Sequence, residues 1–130
     1  MTNTGSGSFS NSFAFIIEDN LLAYRELVLR YSQAPVTIPK GTVISSGGTP
    51  SPYIYFLLDG LVKISIINIH GYERILGYHK RNTLFVMDGL RKDKSVIVTT
   101  TALTQIEAVK LSLDDLMVLF QKSPCFATDV

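Results

Sequence analysis

Cysteine is almost missing from this chain of 130 residues, with Cys125 the single one. One thiol excludes an internal disulfide and any all-cysteine zinc or iron–sulfur site within the chain, and a reducing cytoplasm is the expected location. A charge excess is missing as well. Twelve Lys and Arg against eleven Asp and Glu leave +1, whereas wrapping nucleic acid needs a basic surplus on one surface. The uncharged run from Val96 to Ile106 is too short and too rich in threonine to span a bilayer. No charged segment followed by an apolar one opens the chain, so secretion is not expected. Histidine is scarce: His70 and His79 are nine positions apart, short of the converging set that a cupin-type metal site needs.

Against these absences stands an apolar content of 46%, enough in a chain of this length for one folded domain with its own core. Residues 1–12 are mostly Gly, Ser, Thr and Asn and are expected to be a flexible lead, with the domain proper spanning 13–130. Phe13 to Ile17 is apolar, and Asp19 or Asn20 is placed to cap a helix running to Tyr31. Leu21, Tyr24, Leu27, Val28 and Tyr31 then share one helical face. Pro35 ends that segment.

From Val36 onward the chain reads as short strands between turns. The best formed is Tyr53 to Ile67, two apolar stretches meeting at Asp59-Gly60, which predicts a β-hairpin. Val62, Ile64 and Ile66 fall on one face, Lys63 and Ser65 on the other. A second hairpin is predicted at His70-Gly71, leading into Glu73 to Tyr78. Asn82 to Leu90 reads as a short helical turn, and Lys94–Ala102 and Gln105–Leu111 read as the last strands. Ser112 caps a final helix whose Asp114 and Asp115 suit its positive end, and which stops before Pro124. The fold class that follows is mainly β: an antiparallel jelly roll or β-roll barrel, closed to limit its edges, with short helices at both ends.

No catalytic constellation emerges, and an enzyme is not expected. Thr99, Thr100 and Thr101 suit a strand, no Gly-x-Ser-x-Gly elbow occurs, and Cys125 has no base beside it. His70 reads as a solvated turn residue and His79 as a strand end. With no second axial ligand in view, neither haem nor any other cofactor is expected.

The order of turns resembles the cyclic-nucleotide-binding-type sensor domain of the CRP/FNR transcription regulators. The resemblance rests on Pro39-Lys-Gly41, Gly47, the run Tyr55 to Ile64 with its Asp59-Gly60 pair, Gly71 to Leu76, and Leu111 to Leu116 with Pro124 after it. Within that family the chain is similar to regulators that sense chlorinated phenols in anaerobic bacteria. Relatives that bind a cyclic nucleotide carry Phe-Gly-Glu and, a strand later, an arginine for the cyclic phosphate. Here Phe85-Val86-Met87 stands at the first position and Val96-Ile97 at the second. A buried phosphate without a cation is prohibitively costly, and Arg91 and Lys94 read as solvated loop charges.

The resemblance therefore implies a sensor for a small apolar or aromatic effector. The expected pocket is lined by Ile64, Leu76, Tyr78, Asn82, Phe85, Val86, Met87, Val96 and Ile97, with Tyr78 or Asn82 as hydrogen-bond partners. It also implies that DNA is contacted only through a domain outside this sequence, and that the full regulator is a homodimer. The chain is read as a fragment of such a regulator. The competing readings are a stand-alone interaction module with a filled barrel, and a small metal-dependent cupin-like enzyme.

Overall fold

The computed structural model describes residues 14–46, 52–86 and 98–130. Two sheets and a group of short helices account for them. Strands β1 (Phe15–Ile17), β2 (Val36–Ile38), β3 (Val43–Ser45), β4 (Ile54–Asp59), β5 (Val62–Ile67), β6 (Glu73–His79), β7 (Thr83–Phe85), β8 (Thr99–Ala102) and β9 (Ile106–Leu111) are joined by α1 (Arg25–Tyr31), α2 (Leu113–Lys122) and α3 (Pro124–Asp129). The five-stranded sheet has the order β1-β6-β5-β8-β3, the four-stranded sheet β2-β9-β4-β7. The mainly β expectation holds. Closure does not: each sheet ends in short edge strands, and no ladder joins the two among the described residues.

The Asp59-Gly60 pair is a turn, but not a hairpin. β4 pairs with β7 and β9, whereas β5 pairs with β6 and β8, so the chain crosses here from one sheet to the other. Gly60 has φ +109°, and a Cβ on it would stand 2.5 Å from Ile106 Cγ2 and 3.0 Å from the Gln105 carbonyl oxygen. Positive φ and this close approach both require glycine. The hairpin predicted at His70-Gly71 does form between β5 and β6. Asn68 builds its turn: its side-chain oxygen accepts from the backbone N–H groups of His70 and Tyr72.

Alternation along β5 holds through Val62 and Ile64 and then breaks. The register against β6 slips between Ile64 and Ser65, a bulge that turns the strand, and Ser65 ends fully buried. The stretch read as a helical turn from Asn82 is a strand over Thr83–Phe85, where Thr83, Leu84 and Phe85 pair with Leu57, Phe56 and Tyr55; Met87 to Leu90 lie outside the described residues. Its three side chains are all buried, and sheet pairing satisfies the backbone that a lone turn would leave unpaired.

The N-terminal helix also differs from expectation. Asp19 has φ +60° and does not cap it. Its N–H donates to the Arg81 carbonyl, its carboxylate accepts from Asn82 Nδ2 at 2.7 Å, and a 3-10 turn at Leu22–Tyr24 leads into Arg25. By contrast the Ser112 cap is present with its reciprocal bond. Asp115 N–H donates to Ser112 Oγ, and Ser112 N–H donates to the Asp115 carboxylate.

Two apolar clusters follow from the two faces of the four-stranded sheet. On one face Ile54, Phe56, Leu58, Leu84, Val109 and Leu111 pack with Val28, Leu116, Leu119 and Phe126 of the helices. The helices therefore cover the outer face of the four-stranded sheet. Tyr24 and Asp129 clamp them: the phenol donates to the carboxylate, and this bond pushes the Tyr24 pKa up to about 12. The other face looks toward the five-stranded sheet.

Candidate ligand-binding site

The space between the sheets is lined from both sides. β4 and β7 contribute Tyr55, Leu57, Phe85 and the following Val86, and β9 contributes Ile106 and Ala108. The facing sheet contributes Val62, Ile64 and Ala102, with Leu76 and Val98 partly buried beside them. Tyr55 and Phe85 stack with ring centroids 5.3 Å apart and planes at 22°, the offset geometry that aromatic pairs favour.

His79 ends β6 beside this cluster. Its ring meets the Phe15 ring edge-on at 5.8 Å and lies 6.2 Å from Phe85. The register explains the grouping. Val62 lies opposite His79 and Ile64 opposite Gly77, while the parallel strand β1 sets Phe15 beside Gly77 and Ile17 beside His79. Gly77 has no side chain, and the Phe15 ring fills the place where a Cβ would stand. His79 Nδ1 is 3.2 Å from Thr83 Oγ1, which donates to the Lys80 carbonyl at 2.8 Å. Burial lowers the His79 pKa from 6.5 to about 4, so the ring is neutral at physiological pH.

Of the residues expected to line a pocket, Ile64, Leu76, Phe85 and Val86 come together in the inter-sheet cluster. Tyr78 stands opposite Lys63 in the ladder, one step out of phase with Val62 and Ile64; there Lys63 pairs with Glu73 at 2.9 Å and holds its carboxyl below the usual range. Asn82 is 2% exposed and its side chain is committed. Its Nδ2 donates to Asp19, its Oδ1 accepts from Arg25 Nη1 at 2.7 Å, and its N–H donates to the Leu57 carbonyl. Met87, Val96 and Ile97 lie outside the described residues.

Val86 carries a signal of its own. It is buried and has φ +58°, a backbone region that strains a β-branched residue by roughly 1–2 kcal/mol. This is the position at which the resemblance places glycine. Sequence reasoning missed Phe15, Tyr55 and the placement of His79; only the alternation of Tyr55 with Leu57 pointed inward.

Among the described residues no three His, Cys, Asp or Glu side chains gather as a metal site, and no helix is long and apolar enough to cross a membrane.

No match was found among curated proteins. CprK solved with o-chlorophenolacetic acid is similar at TM-score 0.70 and 19% identity, covering 88% of this chain and 47% of its own. The Catabolite Activator Protein of Thermus thermophilus gives 0.67 and 24%, covering 82% and 50%. The N-terminal domain of a transcriptional regulator from Streptomyces coelicolor A3(2) gives 0.60 and 25%, covering 85% and 81%. The chain thus spans about half the length of the CprK and Catabolite Activator Protein chains. The family model described as the cyclic nucleotide-binding domain matches residues 35–123, and with two thirds of its length so matched, this chain belongs to that family.

Proposed function

We propose that this domain senses a small apolar or aromatic effector for a CRP/FNR-type transcription regulator and passes its occupancy to a DNA-binding domain. Catalysis has no part in this reading, and its natural setting is the cytoplasm, in a homodimer. The observation that carries it is the position of β7. Leu84 belongs to the cluster that holds Phe126 of α3, while Phe85 and Val86 belong to the cluster between the sheets. A ligand that shifts Phe85 must move Leu84, its neighbour in the same strand, against the helices. Packed clusters respond to such a shift by switching between discrete arrangements, which is how a domain signals. Ligand and population are then linked through differential affinity for the two arrangements.

The choice of an aromatic over a nucleotide rests on the lining. The described walls are mostly aliphatic and aromatic, with the buried Thr100 beside Ile64, and the imidazole at their border, His79, is neutral. A neutral ring offers a cyclic phosphate no countercharge. CprK, the similar protein, was solved with a chlorinated aromatic acid.

Isothermal titration of the chain with cyclic AMP, o-chlorophenolacetic acid and 4-chlorophenol tests the reading. Saturable binding of an aromatic compound and none of cyclic AMP is expected. Tight cyclic AMP binding would overturn it. Failure of every compound would favour an interaction module with a filled interior, a reading supported by the near-complete burial of Leu57, Phe85 and Ile106.

A further inference from the structure

The Thr83 hydroxyl has a single hydrogen, and that hydrogen goes to the Lys80 carbonyl at 2.8 Å. Toward His79 it can therefore only accept, so the 3.2 Å contact requires the hydrogen of the imidazole to sit on Nδ1. A neutral imidazole with its hydrogen on Nδ1 has a bare lone pair on Nε2. Among the described residues the buried side-chain polar atoms without a partner are Ser32 Oγ and Ser65 Oγ, so Nε2 is not an orphaned buried atom. A guest that covers this acceptor cuts it off from water, which favours a guest that supplies a donor. The ring surroundings favour an aromatic guest, because Phe15 and Phe85 both lie within contact range of His79.

A guest ring can sit over Gly77 only by displacing the Phe15 ring. Phe15 fills that seat, yet it is 38% exposed and belongs to a three-residue edge strand. Short edge elements open at little cost compared with a core strand. Phe15 is thus the wall of the site that can withdraw.

We propose that His79 is the polar recognition group of this site, selecting an aromatic ligand with an uncharged O–H or N–H donor, whose ring takes the seat over Gly77 held by Phe15. The proposal rests on the effector-sensing reading and adds the chemistry of selection to it. Thr83 acts as a positioning residue that fixes the tautomer.

The test uses the full chain and two probes of nearly equal shape, 4-chlorophenol and its methyl ether 4-chloroanisole, which lacks the donor. One hydrogen bond to a half-buried acceptor corresponds to about tenfold in affinity, so the phenol binds about tenfold tighter. In His79→Phe that ratio falls to about one, with the ether's affinity kept. In Thr83→Val the ratio falls as well, because Nε2 becomes free to carry the hydrogen. Phe15→Ala tightens both probes several-fold. Equal binding of phenol and ether to the unaltered chain, or weaker binding in Phe15→Ala, overturns this inference and leaves the sensing reading standing. Absence of binding by either probe removes both. Long-range nitrogen–proton correlation NMR of the unliganded chain supplies a readout independent of any variant: hydrogen on Nδ1 is expected, and hydrogen on Nε2 would sink the proposal.

Discussion

The two faces of the four-stranded sheet are built to different standards. The face under the helices gathers Phe56, Val109, Leu111, Leu116, Leu119 and Phe126, all with no accessible surface, and no polar side chain among them. Its borders are tied by the Ser112–Asp115 cap and the Tyr24–Asp129 bond. The face toward the second sheet holds stacked rings, a neutral histidine at its border and a valine in a left-handed backbone. Strain and half-satisfied polar groups persist only where surrounding structure holds them, and they concentrate where a protein works. On the proposed reading, the contrast assigns stability to one face and recognition to the other.

The largest effect should come from emptying the helical face. Phe126 is among the largest fully buried side chains, and it contacts the Tyr24 and Phe120 rings. Phe126→Ala is expected to lower the unfolding free energy by about 3–5 kcal/mol, enough to unfold much of a marginal domain. Urea denaturation followed by circular dichroism measures it. A loss near 1 kcal/mol would mean that the helices contribute little, and the contrast between the faces would fail.

Acid should next separate the faces, through His79. Its folded pKa is about 4 against 6.5 for an ordinary histidine, because burial disfavours the charged ring. Above pH 6.5 the ring is neutral in both states and contributes no pH dependence. As pH falls from 6.5 to 4 the unfolded chain takes up the proton first, so stability drops across that window and levels below it. Partial exposure reduces the effect to on the order of 2 kcal/mol. Measured as the difference between the unaltered protein and His79→Phe, the drop should appear between pH 6.5 and 4. The same pH dependence in both proteins across that window would show a solvated ring, whose pKa is equal folded and unfolded.

What the sequence revealed divides along the same physical line. Local signals were readable: the β5–β6 turn at Gly71, the Ser112 cap, the end of α2 before Pro124, and the strand β9. Each depends on residues within a few positions of one another. Sheet membership was not readable, because Asp59-Gly60 has the composition of a hairpin while its partners, β7, β9, β6 and β8, are chosen by long-range packing. The same holds for β7, whose three buried residues carry no period, and for Asn82, whose amide is claimed by Asp19 and Arg25 from far along the chain. Of the proposed site, the apolar set Ile64, Leu76, Phe85 and Val86, which meets in one cluster, was named through the family resemblance and not from composition or period. His79 was visible only as a residue at a strand end, since the role proposed for it depends on a Thr83 hydroxyl that donates to the Lys80 carbonyl.

Val86 offers the finest test of the contrast, because two small substitutions pull in different directions there. Valine at φ +58° is strained, yet its side chain is 6% exposed and contributes to the inter-sheet cluster. Val86→Ala removes most of the buried hydrocarbon and keeps the left-handed penalty of a Cβ. Val86→Gly removes slightly more hydrocarbon but releases that penalty, worth about 1 kcal/mol. In an ordinary strand glycine would be the worse replacement by about 0.5–1 kcal/mol; here glycine should come out the more stable by about 1 kcal/mol. The order is read from the urea midpoints of the two variants. Alanine above glycine would mean that the backbone at Val86 is relaxed, and the case for strain stored on the recognition face would lose its main support.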